Sequence, residues 1–137
     1  MALPNGAGGF QLGDGNLNEP VMGYAPAPAT ATVTATLTPA QITSGILLGS
    51  PGTSAASYTL PTVADLESSQ LSSAKVGSTF DLSVCNVDGS SSGVITLVAG
   101  TGWTLVGLMT VAATAGTSQM FRARKTGSGA WTLYRLG

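Results

Sequence analysis

Residues that could do chemistry are few in this chain, and their spacing thins them further. Asp14-Gly15-Asn16-Leu17-Asn18-Glu19 opens like a calcium loop. An EF-hand loop needs glycine at its sixth position and glutamate at its twelfth. Those positions hold Glu19 and Ala25, so the stretch reads as a turn-rich loop. Asp65, Glu67 and Asp81 offer carboxylates for acid–base work. Asp65, however, belongs at a helix start, where its charge suits the dipole, and Asp81 falls in mid-strand. Cys85 is the only cysteine, and histidine is absent. No imidazole can activate that thiol. One cysteine excludes an intrachain disulfide and a cysteine-cluster metal site, and a triad or His-based metal site is excluded as well. The expectation is a protein that is not an enzyme, with no catalytic residues, no metal and no cofactor.

One constellation remains. Arg122-Ala123-Arg124-Lys125 lies near Phe121, Trp131 and Tyr134. Basic side chains among aromatics can grip single-stranded nucleic acid. Yet the chain has five basic residues against six acidic ones, and a nucleic-acid binder shows a basic domain. The cluster suits carboxylates on a protein partner instead. No nucleic-acid partner is expected.

The rest of the composition points the same way. Only 8% of the 137 residues are charged, against about 25% in an ordinary soluble domain. So few charges predict a surface covered by other protein. Their placement is uneven. Residues 1–74 carry Asp14, Glu19, Asp65 and Glu67 and no base, whereas Arg122, Arg124, Lys125 and Arg135 fall near the other end. Met1-Ala2-Leu3-Pro4-Asn5-Gly6 lacks the basic and apolar runs of a signal peptide. No charge occurs from Gly89 to Met120, a length that could suggest a membrane helix. Gly93, Gly100, Gly102, Gly107 and Gly116 break that stretch into strand-length blocks, so no membrane span is expected.

Residues 1–29 read as an extended arm. Gly6, Gly8, Gly9, Gly13, Gly15 and Gly23, with Pro4, Pro20, Pro26 and Pro28, prevent a regular element. Such a composition orders only by lying against something. Phe10, Leu12, Leu17 and Tyr24 are its anchors. Fully extended, the arm reaches at most about 95 Å, enough to cross to a neighbouring subunit.

Residues 30–137 read as a β-rich body. Thr30, Thr32, Thr34, Thr36 and Thr38 alternate with Ala31, Val33, Ala35 and Leu37, which predicts one strand with a threonine face. Thr38-Pro39-Ala40-Gln41 is a capping box, and Ser44-Gly45 stops its short helix. Thr62-Val63-Ala64-Asp65 repeats the logic and starts a second helix near 62–70. From Thr79 onward every segment reads as strand. Phe80, Leu82 and Val84 share one face, with Asp81, Ser83 and Cys85 opposite. Asn86 to Gly93 is a turn cluster, and no internal repeat is evident. The last pair, 118–126 and 130–136, has two possible registers. A three-residue loop, Gly127-Ser128-Gly129, gathers Phe121, Ala123, Trp131 and Leu133 on one face. It leaves Met120, Arg122, Arg124, Thr132 and Tyr134 opposite. That register separates apolar from charged best, and register follows burial. Arg122, Arg124 and Tyr134 are therefore the expected contact residues on the body. The expected fold is all-β: a compact antiparallel β-sandwich or barrel with one or two short helices.

Several phrases carry a resemblance. Leu60-Pro61-Thr62-Val63-Ala64-Asp65-Leu66 is followed by Val76-Gly77-Ser78-Thr79-Phe80-Asp81-Leu82-Ser83-Val84-Cys85-Asn86. Leu97-Val98-Ala99-Gly100-Thr101-Gly102, Leu105-Val106-Gly107, Met109-Thr110-Val111-Ala112 and Phe121-Arg122-Ala123-Arg124 continue it. The set resembles small β-rich structural proteins of tailed bacteriophages, as in phages of marine bacteria and cyanobacteria. Ser78 stands where that pattern has an acidic residue, and the arm matches none of it. The resemblance implies a capsid decoration (cement) protein, an oligomer and most simply a homotrimer, on the outer surface of the virion. Its partners would be the major capsid protein and its own copies. The alternative it implies is a tail or head-fibre component contacting host-surface carbohydrate. That role calls for an exposed aromatic cluster, and Trp131 is assigned to the core.

Overall fold

The computed structural model describes residues 23–137. Phe10, Leu12 and Leu17 lie outside the described residues.

Ten strands and two short helices follow one another as β1 (Ala29–Ala31), β2 (Ala35–Thr36), α1 (Pro39–Thr43), β3 (Ile46–Gly49), β4 (Ala56–Thr59), α2 (Val63–Ser69), β5 (Thr79–Asn86), β6 (Ile95–Val98), β7 (Trp103–Val106), β8 (Thr110–Val111), β9 (Thr117–Gly127) and β10 (Ala130–Leu136). They form two sheets. One has six strands in the order β1-β3-β5-β9-β10-β7, the other four in the order β2-β4-β6-β8.

The expectation of an antiparallel arrangement is corrected here. Five of the eight strand pairings are parallel: β1 with β3, β3 with β5, β2 with β4, β4 with β6, and β7 with β10. The reason lies in how the chain winds. From β1 to β6 successive strands alternate between the sheets, so each strand lies beside the one laid down two elements earlier. Strands that return to a sheet after a full circuit run the same way. The winding has no sequence repeat behind it.

The threonine alternation of residues 30–38 is likewise not one strand. It breaks at Val33, which is 73% exposed, and the chain crosses there from the six-stranded sheet to the four-stranded one. Tyr58 fixes the crossing. Its hydroxyl donates to the carbonyls of Ala31 and Thr32 at 3.1 and 3.0 Å. Gly49 makes room for that ring: a Cβ there would lie 3.1 Å from the Tyr58 hydroxyl and 2.5 Å from Ile95 Cδ1. Burial pushes the Tyr58 phenol above its ordinary pKa, with the Asp88 charge adding to the effect.

Both helices start as the sequence predicts. Thr38 accepts from the Gln41 amide at 3.2 Å, and Gln41 Oε1 accepts from the Thr38 amide at 2.8 Å. Thr62 accepts from the Asp65 amide at 3.1 Å. Each cap is worth about 1 kcal/mol. Gly45, at φ +88°, turns α1 into β3. Ile42 of α1, with Val63 and Leu66 of α2, joins a single core that draws on both sheets. Trp131, Tyr58 and Phe121 are its largest buried members. Each such side chain contributes about 2–3 kcal/mol by leaving water. No helix among the described residues is long and apolar enough to cross a membrane.

Candidate interaction face

The β9–β10 hairpin sets the geometry of the outer surface of the six-stranded sheet. At its tip Gly127 pairs with Ala130, and Gly129 takes φ +64°. A bulge follows, and from Trp131↔Lys125 onward the strands hold the three-residue-loop register. Phe121, Ala123, Trp131 and Leu133 are buried, as burial-driven register predicts. Trp131 packs between Phe80, at 5.6 Å, and Trp103, at 6.1 Å between ring centroids. The Trp103 indole donates to the Pro61 carbonyl at 2.8 Å, so both tryptophans serve the core.

The opposite faces of these strands line up in rows. Ile46, Ser83, Met120 and Leu136 form one row across β3, β5, β9 and β10. Asp81, Arg122, Tyr134 and Val106 form the next, across β5, β9, β10 and β7. Leu48, Cys85 and Ser118 border the first row, while Thr79, Arg124, Thr132 and Thr104 border the second. Ile46, Met120 and Val106 are 42%, 46% and 47% exposed, which makes an apolar band within a sheet face. Single exposed apolar residues are ordinary, but here three share one sheet face, with the half-buried Ser83 between Ile46 and Met120, and such clustering suits a contact surface. Cys85 is half-buried on the border of this band.

The basic cluster of the sequence is divided between the two faces. Arg122 and Arg124 point outward. Arg122 Nε and Nη2 donate to Asp81 Oδ1 and Oδ2 at 2.7 and 3.0 Å, directly across the β5–β9 ladder. That bidentate hydrogen bonding holds the Asp81 carboxyl below its usual range. Arg124 has no ion-pair partner among the described residues. Lys125 points inward, where its ammonium pairs with Glu67 of α2. Glu67 Oε1 also accepts from the Trp131 indole at 3.0 Å. The Lys125 hydrogen bond, followed by that of Trp131, lowers the Glu67 pKa. Arg135 bonds the Leu108 and Thr110 carbonyls at 2.9 and 3.3 Å. Tyr134 is half-buried in the row of Arg122, and Tyr24 is fully exposed in the segment leading to β1. Arg122, Arg124 and Tyr134 therefore share one face, while Tyr24 stands apart from it.

Asn86 is a structural residue that the sequence reading passed over within a turn cluster. It is completely buried. Its Nδ2 donates to the carbonyls of Gly93 and Ala112 at 2.8 and 2.9 Å, and its Oδ1 accepts from the Gly89 amide at 2.7 Å. The side chain is thereby satisfied, as burial of an amide demands. The signal available was Asn-Val-Asp-Gly, a turn sequence whose asparagine can bond backbone. Ile46 and Val106 could not be placed on the band before their strand neighbours were known.

Elsewhere, an open groove of about 570 Å³ runs along the ends of β2, β4 and β6. Its lining includes Leu37, Leu60, Thr62 and Gly100, with Asp65 as the only ionisable side chain. Among the described residues no group of three potential metal ligands converges. Comparison with protein-family models, curated proteins and solved structures finds no match to this chain.

Proposed function

We propose that this chain is a capsid decoration (cement) protein of a tailed bacteriophage. In this reading it is a homotrimer on the outer surface of the virion. Each copy lays the outer face of its six-stranded sheet on the major capsid protein, and neighbouring capsid subunits are bridged. The two sheets are the layers of a β-sandwich. The resemblance of residues 58–136 to such proteins supports the reading. The observation that carries it is the band of Ile46, Met120, Leu136 and Val106, edged by Arg122 and Arg124, in a chain that is only 8% charged. Apolar contact would supply the energy, and the arginines would set orientation. A protein that binds only the assembled lattice stabilises it by mass action. Phe10, Leu12, Leu17 and Tyr24 give the arm a second attachment, and tethering raises its effective concentration.

The test is occupancy on shells lacking the protein. Met120→Glu with Arg124→Glu should weaken binding by about tenfold or more, the scale of a contact hot spot. Unmodified protein should raise the temperature at which the shells disrupt. Undiminished occupancy by the double variant overturns the assignment of this face. Failure of the unmodified protein to bind any shell overturns the function.

A further inference from the structure

The two sheets leave four strand edges, and they are not alike. β1 turns the Thr30 carbonyl outward, where Gln41 Nε2 donates to it at 2.8 Å. β8 turns the Thr110 carbonyl outward, where Arg135 covers it. β2 is only two residues long. β7, with four residues, is the longest of the edges. The Trp131 amide donates to the Gly102 carbonyl, so the backbone alternation directs Thr104 and Val106 toward β10 and Leu105 away from it. Among the described residues nothing bonds the Leu105 amide or carbonyl. Open edges are normally blunted by lysine, proline, a bulge or brevity. Trp103–Val106 has no lysine or proline and sits in the charge-free run from Gly89 to Met120. Val106 and Leu108, 47% and 64% exposed, stand beside it.

We propose that the β7 edge receives an extended strand from residues 1–22 of a second copy. The inference rests on the oligomeric reading above and specifies what joins the copies. The first support is where the chain emerges. Residues 23–28 are all exposed and lead into β1, at the opposite edge of the same six-stranded sheet from β7. In one molecule those edges are about 24 Å apart, five strand spacings. In a ring of copies set side by side, the β1 edge of one faces the β7 edge of the next, and such head-to-tail contacts close rings. Twenty-two extended residues reach about 70 Å. The second support is chemical. Phe10-Gln11-Leu12 is a run free of glycine and proline between Gly9 and Gly13, long enough to face the single open residue Leu105, and residues 1–22 carry Asp14 and Glu19 with no base. On the same sheet Arg124, two strands in from that edge, has no ion-pair partner among the described residues.

Amide hydrogen exchange tests this on the full chain and on the full-length double variant Phe10→Asp with Leu12→Asp, over a dilution series. Light scattering of the same samples gives the oligomer mass. In the full chain the Leu105 amide should exchange about tenfold or more slowly where the oligomer forms, and quickly on dilution. The double variant should exchange it quickly throughout. Excess synthetic peptide of residues 2–22 should slow it again. Equal exchange in the two chains overturns the inference. So does protection that survives in the diluted monomer, which would place the strand on its own body. An oligomer with an unprotected Leu105 removes this inference and leaves the oligomeric reading. A monomer at every concentration removes both.

Discussion

Between Ala29 and Val98 β5 is the one strand longer than four residues, and neighbouring strands run parallel. Between Thr117 and Leu136 two strands of 11 and 7 residues run antiparallel through one tight turn. The winding region satisfies its backbone mainly with neutral groups, the caps of Thr38 and Thr62, the Tyr58 hydroxyl and the Asn86 amide, and with one carboxylate, Asp88, which accepts from the Gly52 amide at 3.1 Å. The hairpin region uses charge, through Arg122 with Asp81, Lys125 with Glu67, and Arg135 with backbone carbonyls. Short strands that return after a circuit need fixed crossings, and a rigid hydroxyl or amide fixes them without the desolvation cost of a buried ion. A long hairpin fixes its own register, and its charges are left to orient its surroundings.

Asn86→Ala should have the largest effect on this contrast, because Asn86 ties the 89–93 turn to Ala112 on the way into β9. Two carbonyls and an amide would lose their partner in a buried site. We expect a loss of about 4 kcal/mol in urea unfolding, with both regions melting together. A loss under about 1 kcal/mol would show that the two regions are joined elsewhere. Tyr58→Phe acts on the winding region alone. It removes the single hydroxyl proton shared between two carbonyls and should cost about 2 kcal/mol, with faster exchange near Ala31 and little change in β9. Uniformly faster exchange would mean that the crossing is not a local device. Thr62→Ala and Thr38→Ala should each cost about 1 kcal/mol by thermal unfolding, and the two losses should add.

Glu67→Gln probes the hairpin's charge link to α2 and has the smallest expected effect of these substitutions. The folded carboxyl has a pKa lowered by Lys125 and Trp131. Its contribution is therefore complete above the unfolded value of about 4.5 and is lost as pH falls through the folded one. Wild-type stability should drop below that pH more steeply than that of Glu67→Gln. Parallel acid profiles for the two proteins would remove Glu67 from the link.

The sequence made the hairpin legible because its signals are local. Phe121, Ala123, Trp131 and Leu133 select one register by burial, and a glycine-bearing loop permits it. The helix caps were legible for the same reason, each bond spanning three residues. The parallel winding was not. Thr30–Thr38 carries a continuous period of two, yet the chain changes sheets inside it, and the cause is Tyr58, which lies some two dozen residues onward. Lys125 read as part of a basic cluster because its neighbours are basic, while its partner Glu67 lies on another element. The outward face of Arg122, Arg124 and Tyr134 was foreseen, but Ile46 and Val106 join it only through strand order. Pairings made across the fold leave no periodicity to read.

The position of β10 has a consequence in time. It lies between β9 and β7, and Trp103 finds its ladder partner in Trp131. A growing chain that has made β7 must wait for β10 before that strand gains its neighbour in the sheet. At about 5–20 residues per second, the wait is a few seconds. Throughout it β7 is open along both sides and no charge stands near it in the chain. The hazard of such a segment is pairing with the same segment of another nascent chain. Synthesis rate, more than final stability, would then set how much protein reaches the native state.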